Sequence, residues 1–425
     1  MKTYQSYNPS DVFWYDQIPQ GWSITKNKFI LKEQKDIVDE DWNQYQLLSL
    51  TKVGVIVRDL ENSKGKFPEF FNSYKIIRKN DLIFCLYDIE ETPRTIGLSG
   101  LDGMITGSYN VFQTNQVPKF IYYWYLTIDD VKGLKPFYTG MRNVVRNETF
   151  MSLKIFTPPL HEQQQIVKFL DEKTSIIDKL ISTKERKIEL LKEQRSSLIN
   201  EVITKGLDPN VKMKDSGVEW IGEIPVGWDV IKLKNLVETN KRVLPENTDQ
   251  NYELQYIEIG DVNSLGELKN FTNYIFSESP SRCRRILSKG DVFISTVRTY
   301  LKSIGYIKDE VSDLICSTGF CVLTPKSEIL SQFLFYQVLT EFFIGEVIST
   351  SKGVSYPSIT STELVNIKVV KPTLKEQQHI VEYLDIHTKE IDDLVQFEQR
   401  KIEILKEYRQ SLISEVITGK IKVVE

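Results

Sequence analysis

Two stretches of the chain carry mostly apolar side chains at alternating spacings of three and four residues, separated by charged and amide side chains. They run from Glu162 to Thr204 and from Glu376 to Thr418, and they align at a constant offset of 214 residues with 26 of 43 positions identical. The repeating positions, here called the seam, are Leu170, Thr174, Ile177, Ile181, Lys184, Ile188, Leu191, Arg195, Leu198 and Val202 in the first stretch, and Leu384, Thr388, Ile391, Val395, Glu398, Ile402, Leu405, Arg409, Leu412 and Val416 in the second. A seam with a period of 3.5 residues predicts two long helices that pack as a coiled coil. A repeat of this length indicates that the chain contains two copies of one unit.

One seam position carries opposite charges in the two copies. Lys184 and Glu398 are equivalent and lie near the middle of each predicted helix. In an antiparallel pair they would lie close together, and we expect this pair to set the register of the helices. A parallel pair would also place equivalent positions opposite each other, so the charges alone leave the direction open.

Each copy also begins with a shared aromatic motif, Trp-x3-Ile-Pro-x-Gly-Trp. It spans Trp14–Trp22 in the first copy and Trp220–Trp228 in the second, after a turn-forming cluster at 206–210. Between motif and helix, the two variable regions match only at landmarks, such as Lys79–Phe84 with Lys289–Ile294. Both regions show short strand-like runs and aromatic-rich helical segments. This pattern predicts one shared framework that carries two different recognition surfaces.

Composition argues against a small basic DNA-binding domain. The 425 residues carry a formal net charge of −4, and the pI is about 5.8. Four Cys without a Cys-x-x-Cys pair and three His in the whole chain predict no metal site. The N-terminus has no apolar signal region and no run of 18 apolar residues occurs, so a cytoplasmic location is expected.

Catalytic motifs are missing from the sequence. The phosphate-binding loop Gly-x4-Gly-Lys-Ser/Thr, a Gly-rich cofactor turn after a strand, the Asn-Pro-Pro-Tyr/Phe tetrapeptide of amino-methyltransferases and a Gly-x-Ser-x-Gly elbow are all absent. We therefore predict no catalytic residue and no bound cofactor. A nuclease site made of dispersed carboxylates stays open, because Asp and Glu are abundant.

Basic and aromatic side chains in loop-like contexts are candidates for DNA contacts. Such groups can hold phosphates or read base edges, although each of them could equally belong to a solvated charged surface. The candidates are Arg58, Lys64, Arg94, Arg142 and Arg146 in the first region, and Arg282, Arg284, Arg285, Arg298, Tyr300, Lys352 and Tyr356 in the second.

The chain resembles, over nearly its whole length, the specificity subunit of a type I restriction–modification system. The most specific features are Glu162-Gln163-Gln164 and Glu376-Gln377-Gln378, each at the start of a long helix that ends in Glu-Val-Ile-Thr. The string from Trp220 to Trp228 is also typical of that family. The first opening departs from it, with Tyr15-Asp16-Gln17 in place of Ile-Gly-Glu.

The resemblance implies an α+β protein with two mixed α/β target-recognition domains in tandem. Each would be followed by a long helix, and the two helices would pair as an antiparallel coiled coil with pseudo-two-fold symmetry. The implied division is a first target-recognition domain at 1–157, a first long helix at 158–205, a linker at 206–219, a second target-recognition domain at 220–371 and a second long helix at 372–420.

The same resemblance implies a non-catalytic subunit that recognises a bipartite sequence in double-stranded DNA. One domain would read each half-site, and the helices would measure the spacer and dock two methyltransferase subunits. Adenosylmethionine, ATP and magnesium would belong to partner subunits, including an endonuclease and motor subunit. The main alternative is a coiled-coil scaffold whose variable domains bind proteins.

Overall fold

The computed structural model describes residues 2–58, 71–263, 266, 268, 270–353 and 355–423. The chain divides into two compact units. The first unit comprises Met1–Lys184 with Arg400–Glu425, and the second comprises Glu185–Gln399. Each unit therefore contains one variable region and part of both long helices.

The first copy of the repeat supplies strands and helices in the following order. Its strands are β1 (Tyr7–Val12), β2 (Tyr15–Pro19), β3 (Ser23–Lys26), β4 (Leu31–Gln34), β5 (Leu48–Thr51), β6 (Gly54–Val57), β7 (Lys75–Ile77), β8 (Leu82–Phe84), β9 (Ile96–Leu98), β10 (Gly103–Ile105), β11 (Asn110–Thr114) and β12 (Lys154–Thr157). Its helices are α1 (Asn27–Ile30), α2 (Pro118–Asp130), α3 (Asn147–Ser152) and the long α4 (Leu160–Lys205).

The second copy follows the same plan. Its strands are β13 (Met213–Asp215), β14 (Glu223–Pro225), β15 (Asp229–Lys232), β16 (Val237–Thr239), β17 (Glu253–Ile257), β18 (Thr272–Ile275), β19 (Cys283–Ile286), β20 (Val292–Ser295), β21 (Ile304–Tyr306), β22 (Leu314–Ser317), β23 (Phe320–Pro325) and β24 (Lys368–Lys371). Its helices are α5 (Leu233–Leu236), α6 (Ser331–Val338), α7 (Glu341–Thr350), α8 (Ser361–Val365) and the long α9 (Leu374–Ile417).

The central sheet has the same topology in both variable regions. The strand order is β4-β11-β8-β9 in the first unit and β16-β23-β20-β21 in the second, and all neighbours are antiparallel. A second sheet runs β18-β17-β22-β19, with β17 and β22 parallel. In the first unit, the β5-β6 hairpin and the antiparallel pair β7-β10 are joined by a parallel bridge between Leu47 and Met104. The two regions thus share one framework despite their divergent sequences.

The turn that leads into the central strand β8 or β20 uses the same chemistry in both units. The carboxylate of Asp81 accepts a hydrogen bond from the backbone N–H of Arg78, and that of Asp291 accepts one from Ser288, each at 2.8 Å. The residue before each Asp, Asn80 or Gly290, has a positive φ of 73° or 88°. Asn and Gly are the residues that adopt this conformation most readily.

Aromatic and aliphatic side chains fill the core of each unit. In the first unit, Trp124 packs against Phe156 and Phe84 packs against Phe150, and all four are buried. In the second unit, a buried cluster joins the central sheet to α6, α7 and both long helices. Burial of one large apolar side chain contributes about 1.5–3 kcal/mol, so these clusters hold the sheet on the helices.

The aromatic opening motif docks onto the first turn of a long helix. The indole N–H of Trp22 donates to the Glu162 carboxylate, and that of Trp228 donates to Glu376, each at 3.0 Å. Each unit also contains the end of the other copy's long helix. The Tyr7 hydroxyl donates to the Gly419 carbonyl at 3.0 Å after α9, which places the end of this helix against β1, the strand that pairs with Tyr15–Pro19 of the first opening motif.

The first Gln of each Glu-Gln-Gln motif anchors a second helix. Gln163 accepts from the backbone N–H of Val117 at 3.1 Å and donates to the Pro158 carbonyl at 2.8 Å. The equivalent Gln377 accepts from Leu330 at 2.8 Å and donates to the Pro372 carbonyl at 3.0 Å. Val117 and Leu330 immediately precede α2 and α6, so each glutamine fixes the start of the helix that covers the central sheet.

The long helices contact each other in antiparallel orientation within the second unit. Lys187 donates to Glu398 at 2.8 Å, and Arg195 pairs with Asp392 at 3.0 Å, so the partner's number falls as the first number rises. In the first unit, Arg409 pairs with Asp178 at 2.9 Å. This pair is the repeat equivalent of Arg195–Asp392, so each unit contains one copy of the same cross-helix ion pair.

Glu398 is 3% exposed, and its observed partner within the second unit is Lys187. Its expected pairing with Lys184 stays a prediction.

Among the described residues, no single helix is long and apolar enough to cross a membrane. The bent pair α6 and α7, with a 62° break, passes by length and composition only.

Candidate nucleic-acid interface

Five separate stretches of the second variable region, near residues 258, 281, 298, 317 and 356, converge on one groove. Its volume is about 680 Å³. The stretches contribute Arg282, Arg298 and Tyr356, which are far apart in sequence and which the fold brings to the walls of this groove. The remaining walls include Glu258, Ser281 and Ser317. This is a concave, partly cationic surface at the edge of the two sheets.

Arg298 is held in a constrained conformation. It has a left-handed backbone, with a φ of 50°, and begins a single 3₁₀ turn, Thr299–Leu301. Its backbone N–H donates to the Pro357 carbonyl at 2.8 Å. The guanidinium carbon lies 5.1 Å from the ring centroid of Tyr356, a distance at which cation–π attraction is effective.

Arg282 lies on another wall of the same groove. Its carbonyl accepts from the backbone N–H of Thr318 at 2.8 Å, which ties this segment to the turn between β22 and β23. The side chain is exposed. It directly precedes β19, so its backbone is fixed by the second sheet.

Lys352 and Tyr300 lie on the loops next to the groove. The backbone of Lys352 exchanges two hydrogen bonds with Ser358, at 2.8 and 2.9 Å, and its amino group pairs with Glu363 at 2.9 Å. The Lys352 ammonium and the N–H and hydroxyl of Thr360 hold the pKa of Glu363 at about 2. Tyr300 is 53% exposed on the 3₁₀ turn. Lys352 is therefore engaged in an ion pair, whereas the Tyr300 ring faces solvent.

Arg284 and Arg285 point partly into the protein. The Arg284 guanidinium lies 5.0 Å from the Phe276 ring centroid. Its Nη1 atom and the Nε atom of Arg285 are buried, with no hydrogen-bond partner among the described residues. Both side chains are better placed to support β19 than to reach outward.

The first variable region places its candidates differently. Arg94 pairs with Asp129 at 3.2 Å and with Asp130 at 2.7 Å, which fixes the loop before β9 to the end of α2. Arg58 and Arg146 are exposed. Lys64 lies outside the described residues.

Arg142 lies in a pair of loops that is equivalent to the loops around Arg298 and Tyr356, on the loop that corresponds to residues 352–359. It pairs with Asp88 at 2.5 Å, and its guanidinium carbon lies 5.1 Å from the Tyr87 ring centroid. Tyr87 in turn stacks on Tyr109, with centroids 6.3 Å apart. The Asp88 N–H donates to the Arg142 carbonyl at 2.9 Å, as the Arg298 N–H does to Pro357.

These contacts define two equivalent loop pairs. The first loop pair is residues 85–88 with 139–145, and the second is residues 295–298 with 352–359. Further equivalent hydrogen bonds are Val145 N–H to Leu86 O and Ile359 N–H to Thr296 O. Asp88 and Arg298, with φ of 46° and 50°, hold the same left-handed position at an offset of 210 residues. Both loop pairs thus place an arginine over a tyrosine ring, and in the first unit this arginine also forms an ion pair with Asp88.

Sequence reasoning missed Tyr87, Asp88 and Tyr109, because every candidate in the first region was a basic residue. The available signal was the turn motif at Asp81 and Asp291. Counting seven residues forward from each Asp reaches Asp88 and Arg298. This equal spacing identifies the loop at Asp88 and the loop at Arg298 as equivalent from the sequence alone.

A family model described as the type I restriction modification DNA specificity domain matches residues 22–190 and 225–406. The chain belongs to this family. The predicted architecture of two tandem mixed α/β domains with long helices in contact is thereby confirmed. Specificity subunits are the non-catalytic components of type I restriction–modification systems.

Relatives within the type I specificity family match over different lengths. The specificity subunit of the MjaVIII enzyme from Methanocaldococcus jannaschii is 27% identical over 429 residues, covering 96% of this chain and 94% of that protein. The EcoKI specificity subunit from Escherichia coli is 28% identical over 210 residues, covering 47% and 44%. A chain from a structural study of complex assembly and conformational transition of the type I R-M system superimposes with a TM-score of 0.67 at 19% identity, covering 95% of this chain and 99% of that one. At 19% identity, this structural match supports the overall fold alone.

Proposed function

We propose that this chain selects the DNA sequence on which a type I restriction–modification complex acts. Each variable domain reads one half of a bipartite target in double-stranded DNA, and the intervening base pairs are not read. The observation that carries this proposal is the pair of equivalent loop pairs, where one framework presents different polar side chains. A shared framework whose loops carry different polar side chains is what two different half-sites require.

The near-neutral charge of the chain bears on its affinity for DNA. Affinity for the duplex grows with the number of phosphates that basic side chains neutralise, and it falls as salt rises. A chain with a net charge of −4 supplies few such contacts beyond its loops. In this proposal the partner subunits add phosphate contacts, and the isolated chain binds DNA weakly.

A second apolar stripe on the long helices supports docking of methyltransferase subunits. Exposed apolar residues lie one position before a seam residue. They are Ile176, Leu180, Ile404 and Tyr408 in the first unit, and Leu190, Tyr383, Leu394 and Phe397 in the second. A two-stranded coiled coil needs only its seam, whereas a wider apolar face is suited to further helices. In this proposal each unit docks one methyltransferase subunit through a helical surface.

In this proposal the cofactors are bound by other subunits of the complex. Adenosylmethionine belongs to the methyltransferase subunits, and ATP and magnesium belong to an endonuclease and motor subunit that joins the complex. The complex acts on DNA in the cytoplasm. This chain contributes the recognition of sequence and the spacing of the half-sites.

Methylome sequencing of cells that express the partner methyltransferase, with and without this chain, tests the proposal. We expect methyladenine at one split motif to depend on the chain. Unchanged methylation together with co-purification of chain and methyltransferase would indicate a system that is not directed by this chain. Unchanged methylation without co-purification would favour the scaffold alternative.

A further inference from the structure

Arg298 combines two features that a solvent-exposed charge does not need. A left-handed backbone is uncommon outside Gly, Asn and Asp, and such residues persist only where the surroundings hold them. Here the hydrogen bond to Pro357 and the 3₁₀ turn supply that constraint. The guanidinium is then placed over the Tyr356 ring, so the backbone and the side chain are both oriented.

No carboxylate among the described residues forms an ion pair with Arg298 or Arg282. Glu258, the acidic residue on the groove wall, accepts a hydrogen bond from the backbone N–H of Asp261 in a capping box, which orients its carboxylate within its own segment. In the first loop pair, by contrast, Asp88 already holds the guanidinium of Arg142. The second loop pair therefore presents a guanidinium whose hydrogen-bond donors are available to a ligand.

The Tyr356 ring serves as a platform rather than as core. It is 66% exposed, although large aromatic side chains are usually buried. An arginine stacked on an aromatic face keeps its planar fork in one orientation. A phosphate contact needs only a positive charge, which a lysine on a flexible stem also supplies. A fixed planar fork matches a ligand with two adjacent acceptors in one plane.

We propose that Arg298, held on Tyr356, reads a guanine of the second half-site through its major-groove edge. Guanine presents N7 and O6 as two coplanar acceptors there, and arginine binds both at once. Arg282, on the other wall of the groove, contacts the adjacent backbone phosphate. This inference rests on the proposed function and assigns one base of one half-site to one side chain.

Methylome sequencing of the complex with Arg298→Gln tests the assignment. We expect the preference for guanine at one position to fall by about 5- to 150-fold, the range for one bidentate contact. The other half-site and the spacer stay unchanged. Arg298→Lys keeps the charge and can still donate to N7 and O6, but its flexible stem lacks the planar fork held on Tyr356, so it should retain only part of the guanine preference.

Three further variants distinguish base reading from general effects. Arg282→Gln should lower methylation evenly across all sequences and reduce the salt dependence of DNA binding. Arg142→Gln removes the arginine of the first loop pair, which lies on the loop equivalent to 352–359, and should leave the guanine position of the second half-site unaltered. Tyr356→Leu keeps the arginine and removes its platform, so it should weaken the same guanine preference as Arg298→Gln.

The outcomes separate the inference from the proposed function. A wild-type chain that directs no split motif would overturn the proposed function and, with it, this assignment. A wild-type chain that directs such a motif, with the same motif and preference in Arg298→Gln, would overturn the assignment alone. An even loss of methylation at all sites in Arg298→Gln, restored by Arg298→Lys, would show a phosphate contact instead. If Arg298→Gln does not fold by its melting transition, Tyr356→Leu decides the question by the same readout.

Discussion

At the scale of single residues, the repeated motifs describe contacts rather than catalysis. Glu162 and Glu376 receive the indole N–H of the opening motif, and Gln163 and Gln377 start the covering helices. Each of these side chains forms hydrogen bonds to a segment that is distant in sequence. Their spacing within Glu-Gln-Gln is determined by the first helical turn, which directs the two side chains toward different segments.

The two glutamines of one motif provide a matched test. Gln377 is fully buried, and its replacement by Leu leaves the Leu330 N–H and the Pro372 carbonyl without partners. We expect Gln377→Leu to lower the free energy of unfolding by about 2–4 kcal/mol, since each buried unsatisfied group costs about 1–3 kcal/mol. Urea denaturation followed by fluorescence measures it. The neighbouring Gln378 is exposed and donates to Glu382 one turn further along the same helix, so Gln378→Leu should change stability by less than about 0.5 kcal/mol.

Thiol reactivity is a second prediction at this scale. All four cysteines are buried, and burial raises the pKa of the Cys283 and Cys321 thiols to about 11. At pH 8 the folded protein should therefore contain almost no thiolate, which is the reactive form. We expect no thiol to react within minutes with a disulfide reagent at pH 8, and four to react in denaturant. One fast-reacting thiol in the native protein would contradict this description of the core.

At the scale of elements, the same Arg–Asp ion pair links the two long helices in each unit. Arg195–Asp392 and Arg409–Asp178 are repeat equivalents, but their surroundings differ. The side chains of the first pair are 10% and 24% exposed, and those of the second are 32% and 53% exposed. The same Arg–Asp ion pair is therefore more exposed to water in the first unit than in the second.

Double-mutant cycles measure that difference. For alanine substitutions of Arg409 and Asp178 we expect a coupling of about 0.2–1 kcal/mol, as for exposed ion pairs. The coupling between Arg195 and Asp392 should be larger, about 1–2 kcal/mol, because water screens this pair less. High salt should reduce the coupling of the exposed pair more. Equal couplings would contradict an effect of burial.

The exposed stripe on α9 gives a prediction about docking. Leu394 and Phe397 are 44% and 56% exposed. We expect Leu394→Ser with Phe397→Ser to lower the affinity for the methyltransferase by at least about tenfold, because apolar area leaves water on docking. Co-purification and titration calorimetry measure it. The melting temperature should stay within about 2 °C of wild type, and Gln396→Ser, on an exposed position between them, serves as the control.

At the scale of the whole molecule, the repeat produces two reading domains with one framework and different loops. In the proposed function, the helix pair determines the distance between the half-sites. One heptad added to a helix lengthens it by about 10.5 Å and preserves the period of the seam.

We therefore expect one heptad inserted after Glu185 and another after Gln399, at equivalent positions of the repeat, to lengthen the spacer by about three base pairs. The estimate uses about 3.4 Å per base pair. Methylome sequencing should show both half-sites unchanged. A heptad inserted in one helix only disturbs the pairing of the helices and should abolish methylation rather than change the spacer. An unchanged spacer with both insertions would refute the role of the helices in spacing.

The sequence by itself determined the repeat, the two long helices, the opening motifs and the family resemblance, because these features depend on local periodicity and on contacts that both copies share. Helix α4 occupies Leu160–Lys205 and α9 occupies Leu374–Ile417, and every seam position lies within these two helices. The direction of the helix pair required the tertiary structure, since a seam has the same pattern in parallel and antiparallel pairs. The loop pairs also required it. Arg282, Arg298 and Tyr356 come together only when β19, β20 and the 352–359 loop are assembled, and whether an arginine such as Arg94 faces a carboxylate or a solvent-filled groove depends on neighbours that are remote in sequence.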